Sequence, residues 1–423
     1  MPGKISVAAR VLATFLAGHG TVQILNVATG IFVLRSLPIE DYAQYSLAFA
    51  FQTTAISLTN LGLTDSIVPL VGNRADDPTV VGRYIRAAQA LRNTLFLLVS
   101  PCVVLAFFVV VRNQGWSTFS QLIMLAPVMA SLYLSVSVAG WSTPLLLKRR
   151  LVDFYLGQTI PALGRLLSYV GARLLGQLSV AFALSMSAAS ILANGLIVKV
   201  KSRNLVQLPL QADSAAKAEV LRCMLPMMPS AIFTAFQPQV ALFLVSIFGH
   251  TMQIAQIAAL SRVAQLFLVF STFNSVVIEP YVARVSAARL PAVYARILGS
   301  AALIGAVLTL LSFRFPELLT WILGAKYQDL DAVIGWVVLS SAVSSTANVM
   351  WVMNRGRRWL FWRGSLIEIT CLLLFQSLYV IFIGVRTTSA AAIFMLTASC
   401  AHFVAHAYIA WYGFSRHNPI QAA

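Results

Sequence analysis

The sequence predicts an all-α integral membrane protein of about twelve transmembrane helices in two six-helix bundles. Three observations carry this: the composition, the spacing of the apolar runs and the placement of the basic residues. Of 423 residues, 59% are hydrophobic and 10% are charged. A soluble chain carries about 25% charged residues and about half apolar ones. A soluble surface this apolar would expose patches that aggregate. Disorder, a secreted disulfide scaffold and a cytosolic enzyme are thereby excluded. The net charge is +17. In a soluble protein that would suggest nucleic acid. In a membrane protein it is what basic cytoplasmic loops produce, so no nucleic-acid partner is expected.

A spanning helix needs about 20 mostly apolar residues. Twelve such segments read, in order, as 11–34, 44–71, 93–111, 119–141, 152–172, 178–198, 223–248, 253–278, 296–313, 330–353, 360–383 and 388–412. The first contains His19, Gln23 and Asn26 and is too long and too polar for a cleaved signal peptide. Six spans fall in 1–205 and six in 223–423, with a cytoplasmic linker at 206–222. The loops on the side of the termini hold 21 of the 30 basic residues, among them Arg74, Arg83, Arg86 and Arg92. The opposite loops hold six, and Arg165, Arg262 and Arg363 fall inside spans. That asymmetry places both termini in the cytoplasm of an inner membrane. The four cysteines (Cys102, Cys223, Cys371, Cys400) form no CxxC pair, so neither zinc nor disulfide is indicated. No P-loop, EF-hand or HExxH is present. No cofactor is expected, and no loop is long enough for a catalytic domain.

The two halves repeat. Ala43-Gln44 recurs as Ala255-Gln256, and Ile67, Pro69 and Val71 recur as Ile278, Pro280 and Val282. Arg74 matches Arg284, and Tyr84 with Arg86 matches Tyr294 with Arg296. The matches are collinear, their offset drifting from 212 to 210. Halves with an even number of spans are parallel repeats about an axis along the membrane normal.

An ionisable group at mid-bilayer costs at least about 2.5 kcal/mol and normally faces the interior or water. On the first span His19, Gln23, Asn26 and Gly30 form one helical stripe. Gln52, Thr59, Asn60 and Asp65 lie on the second. Ser230, Gln237 and Gln239 lie on the seventh around Pro238, which should break the helix. Arg262, Gln265 and Thr272 lie on the eighth. These groups could line a cavity or hydrogen-bond helix to helix. Arg165, Arg262 and Arg363 could form a cationic cavity for an anion, since guanidinium stays charged and grips phosphate as a fork. They could equally pair with Asp65 or Glu368, and Arg363 could snorkel. His19 reads as a protonation switch or a hydrogen-bonded interior residue. His402 and His406 share a helix face, but no third ligand lies nearby in sequence, so no metal site is expected.

At this point the residues resemble a family. Phe32, Arg35, Glu40-Asp41, Tyr42 and Tyr45 look like the segment after the first span of Wzx-type polysaccharide flippases. Those proteins belong to the multidrug/oligosaccharidyl-lipid/polysaccharide exporter superfamily. Asn60-Leu61-Gly62-Leu63 resembles its Asp-Leu-Gly-Leu. Pro280 with Ala283-Arg284 resembles its Pro-x-x-Ala-Arg. Pro38 and Ala43 depart from it, standing where Gly is usual. The resemblance implies a multidrug-exporter-like fold with a central cleft. It implies a flippase moving undecaprenyl-diphosphate-linked oligosaccharide across the inner membrane by alternating access, for cell-surface polysaccharide. The substrate would contact Arg165, Arg262, Arg363, Gln23, Asn26, Gln52 and Gln237, with Asp65, Glu368 or His19 coupling an ion. The partners would be that substrate, membrane lipids and the polysaccharide polymerase machinery, the chain itself acting as a monomer. The runner-up is an ion-coupled small-molecule or multidrug antiporter of the same fold. A glycosyltransferase fits poorly, because the longest outer connection, 314–329, holds only Glu317 and Asp329.

Overall fold

A computed structural model describes residues 2–74, 76–148, 150–225, 228–357, 359 and 362–416. The side chains of residues 2–15, Asp65, Val68, Pro69, Asn73, Ser230, Val269, Thr272, Val276, Trp362, Arg363 and Arg416 lie outside that description. The chain is helical throughout, with no strand among the described residues. Nine helices among them are long and apolar enough to cross a membrane. The expected second, fifth and eighth spans are helical but fall short of that measure. These three carry Gln52 and Asn60, Arg165, and Arg262. Polar and charged groups lower their hydropathy, and breaks shorten the second and eighth. Large apolar side chains such as Leu97, Leu105 and Val109 stay exposed along one helix. In water that would be a liability; against lipid it is the expected surface. The chain is a multi-pass membrane protein.

By compactness the chain divides into residues 1–251 and 252–423. In the first unit, α1 (Pro2–Ser36) packs on α7 (Leu151–Leu174), and α5 (Thr118–Val138) packs on α8 (Val180–Ser202). The second contact is close because Gly195 lies on it. A Cβ at Gly195 would stand 2.1 Å from the Val138 Cβ. Small residues allow this approach where apolar lipid gives helices no hydrophobic reason to associate.

The second span is two helices, α2 (Ile39–Asn60) and α3 (Leu63–Val71). Leu61, at φ +34°, and Gly62, at φ +78°, make the break. Glycine adopts that region freely; a leucine there is strained. The third span, α4 (Pro78–Val111), starts well before residue 93. Asp77 caps it by accepting from the Thr79 and Val80 backbone N–H groups. With 34 residues it runs about 50 Å, well beyond the hydrocarbon core of about 30 Å.

The segment expected as a linker folds onto the projecting end of α4. Its helix, α9 (Ser214–Met224), buries Ala216, Val220 and Met224 against Val81, Tyr84, Ile85, Leu63 and Ile67. Arg83 donates to Asp213 at 2.6 Å, and Arg86 donates to the Leu210 carbonyl at 2.9 Å. Accepting the Ala215 backbone N–H, with Arg83 beside it, holds the Asp213 carboxyl below the usual carboxylate range. The seventh span follows as α10 (Met228–Phe236), a 3-10 turn at Gln237–Gln239 and α11 (Val240–Phe248). The break falls where Pro238 removes a backbone donor. Pro226 lies outside the described residues. Both α10 and α11 pack on α2.

In the second unit, α17 (Asp331–Gly356) is central and packs on α15 (Leu290–Arg314) and α19 (Thr388–Arg416). Its run Ser340, Ser341, Ala342, Ser344 to Ala347 suits that position, since small side chains admit neighbours on several sides. Ser340 and Ser399 share a hydrogen bond of 3.0 Å across the α17–α19 contact. The remaining span, α18 (Trp362–Phe382), packs on α19. The eighth span is again broken: α12 (Thr251–Leu266), α13 (Leu268–Phe273), a π-helical turn at Asn274–Ile278, and α14 (Glu279–Arg284). Asn274 pins this turn by donating to Asn348 Oδ1 on α17 at 3.1 Å. The broken second and eighth spans occupy equivalent places in the two halves.

Candidate functional site

In the first unit, the stripe on α1 faces α7. Arg165, midway along α7, donates from Nη2 to the Asn26 Oδ1 at 2.8 Å. Its Nε is buried with no hydrogen-bond partner. No carboxylate among the described residues pairs with it. An amide oxygen orients a guanidinium without cancelling its charge. One turn away, the Gln23 amide nitrogen lies 3.3 Å from the His19 Nε2. The Gln23–His19 and Arg165–Asn26 pairs thus follow one another along α1.

Gln52 sits elsewhere. It is buried and donates to the Ser187 hydroxyl at 3.0 Å, joining α2 to α8. Gln237 lies in the 3-10 turn of the seventh span, its amide oxygen buried and without a hydrogen bond. In the second unit Arg262 is buried and donates to Gln265 Oε1 at 3.3 Å, one turn along α12. Asp65 and Arg363 lie on α3 and α18, but their side chains are outside the described residues.

Arg92 is a group that sequence reasoning placed in a loop. It is 2% exposed, inside α4. It donates from Nη2 to Asn60 Oδ1 at 2.9 Å and to Thr64 Oγ1 at 3.0 Å, on either side of the Leu61-Gly62 break. Its Nη1 is buried with no hydrogen-bond partner. The signal that would have found it is Asp77-Pro78, a capping residue followed by proline at the first helical position. That pair starts the helix about four turns earlier. From Arg92 to Val111 is about 30 Å of helix, so Arg92 stands at the edge of the apolar layer.

The second unit also gathers Glu368 of α18 with His402 and His406 of α19. Glu368 Oε1 lies 3.1 Å from His402 Nδ1 and 3.9 Å from His406 Nε2. The two imidazoles stack with centroids 6.1 Å apart, and Trp351 of α17 lies 5.4 Å from the His406 ring. Sequence spacing offered the histidines no third ligand; packing of α18 on α19 brings one. Glu368, expected to couple an ion or neutralise an arginine, faces these histidines.

No protein-family model and no curated relative matches the chain. Solved structures do. An inward-facing multidrug resistance MATE family transporter of the MOP superfamily aligns with TM-score 0.71 at 15% identity, covering 95% of this chain and 96% of that one. A mutant of the Vibrio cholerae MATE transporter VcmN aligns with TM-score 0.64 at 16% identity, covering 100% and 99%. A MOP superfamily transporter from Pyrococcus furiosus, whose reversed binding-pocket polarity suggests a different function, aligns with TM-score 0.60 at 13% identity, covering 98% and 96%. Over nearly its whole length, this chain has the fold of the MATE transporters of the MOP superfamily.

Proposed function

We propose that the chain is a transporter of this fold that flips an anionic, lipid-diphosphate-linked oligosaccharide across the inner membrane by alternating access. The observation that carries the reading is Arg165. A guanidinium inside the spanning helices, held by an amide and by no carboxylate among the described residues, keeps a net positive charge. Such a charge is costly in a membrane unless an anion visits it. A diphosphate suits a guanidinium, which donates two parallel hydrogen bonds to it. The lipid tail stays in the bilayer while the head group passes polar side chains such as Gln23 and Asn26. No bond is made or broken, so no catalytic residue is needed. Both termini lie in the cytoplasm, and the polymerase that extends the polysaccharide is the expected partner. Ion coupling falls to Glu368, His19 or Asp65.

The second reading, a multidrug antiporter, is favoured by the multidrug transporters among the structures of like fold. Reversed pocket polarity in one of them supports a change of substrate charge within the fold. Proteoliposomes separate the two. We expect a fluorescent lipid-diphosphate oligosaccharide to cross and a cationic dye to stay. Dye transport without oligosaccharide flipping would establish the antiporter instead.

A further inference from the structure

We infer that Glu368, His402 and His406 form a binding site for a divalent transition-metal ion of the zinc class in the second unit. One ligand atom from each of Glu368, His402 and His406 lies within 4.8 Å of the other two. In a tetrahedral site with ligands at about 2.0–2.1 Å, donors stand about 3.3 Å apart. The two Glu368–histidine separations, 3.1 and 3.9 Å, bracket that value, so side-chain adjustment within the cluster would bring the donors to metal-binding distance. Two imidazoles and a carboxylate suit zinc, cobalt, nickel or iron and suit magnesium or calcium poorly.

The state of His406 is the second observation. Its side chain is 7% exposed. Its Nδ1 is buried without a hydrogen-bond partner, and its Nε2, 3.9 Å from Glu368, is beyond hydrogen-bond reach. The Nε2 of His406 stands beside the carboxylate without a hydrogen bond to it, and in a neutral imidazole protonated at Nδ1 it carries the lone pair that a metal takes. The ring is held by Trp351 on one side and His402 on the other. His402 and Glu368 are partly exposed, with side chains at 27% and 23%. Three protein ligands leave the fourth position to water or to a passing ligand, the pattern of an open site. The inference stands whether or not the chain flips oligosaccharides.

The test uses the full-length, tag-free protein in detergent, stripped by chelator and titrated with Co²⁺ and then Zn²⁺. Wild type is expected to bind one Co²⁺ with the visible absorption of a four- or five-coordinate site, and Zn²⁺ is expected to displace it. His402→Ala, His406→Gln and Glu368→Gln should each weaken binding by at least about tenfold, while His250→Ala binds as wild type. Zinc should raise the thermal midpoint of wild type and not that of His406→Gln. X-ray absorption of the zinc-loaded wild type should show only nitrogen and oxygen ligands, with two imidazoles; this reading is independent of whether the variants fold. Absence of Co²⁺ binding by wild type overturns the inference. So does binding unchanged in the three variants, or a sulfur ligand in the absorption spectrum.

Discussion

What distinguishes the arginines is the chemistry of their partners. Arg355 is paired: it donates from Nε to Glu279 Oε1 at 2.9 Å and from Nη2 to Glu279 Oε2. Arg165 and Arg92 donate to neutral oxygens, yet for different ends. Each keeps one buried nitrogen without a hydrogen bond, but Arg165 lies beside the polar stripe of α1. Arg92 ties the two halves of a broken helix, bridging Asn60 and Thr64, which also share a hydrogen bond of 2.9 Å. Arg92→Met is expected to cost about 1.5–3 kcal/mol, the range for hydrogen bonds from a charged group. A lowered thermal midpoint in detergent would register it. Arg92→Lys should recover part of the loss, because an ammonium lacks the fixed fork. Which residues would be polar inside the membrane was readable from sequence, but their partners were not. Arg165 meets Asn26 across 139 positions and Glu368 meets His402 across 34, and only helix packing decides such meetings.

At the scale of elements, breaks with a proline were legible and breaks without one were not. Pro238 announces the turn in the seventh span. No proline lies at the Leu61-Gly62 break of the second span, and although Pro280 follows the π-helical turn at Asn274–Ile278, the geometry of that turn depends on Asn348 of a helix not yet formed when the segment is read alone. Close packing was likewise hidden. Gly195→Val should drive a side chain into Val138 and destabilise by about 1–3 kcal/mol, the usual range for overpacking. Gly299→Ala on α15, where an added Cβ meets nothing within 4 Å, should instead be neutral or stabilising by up to about 1 kcal/mol. Thermal unfolding of the two variants in one detergent compares them directly. The docking of α9 on α4 has a predictable pH response. The Asp213 carboxyl is held low in the folded chain, so its stabilisation is complete above the ordinary carboxylate range, about pH 4. It is lost as pH falls through the lowered value. Proteolysis within 206–213 should therefore quicken below about pH 4 in wild type, and Asp213→Asn should already be susceptible at neutral pH.

For the whole molecule, the apolar composition identified the fold class, while the early start of α4 at Pro78, the helix α9 inside the expected linker and the breaks in the second and eighth spans were not read from it. Tyr84 and Tyr294, matched in sequence, are both buried near the start of a long helix and both hydrogen-bonded, to Glu219 and to Asn354. Substrate identity was less legible, because one fold carries many cargoes and the charge of a few side chains selects among them. The central claim is that a positive charge at position 165 carries an anionic head group. Its most direct test is flipping of a lipid-diphosphate oligosaccharide in proteoliposomes by wild type, Arg165→Lys and Arg165→Gln, with equal reconstitution verified. The account predicts that Arg165→Lys retains a measurable fraction of the rate and that Arg165→Gln loses at least about tenfold, the effect of about 1.4 kcal/mol of lost anion binding. A rate for Arg165→Gln equal to wild type would contradict it.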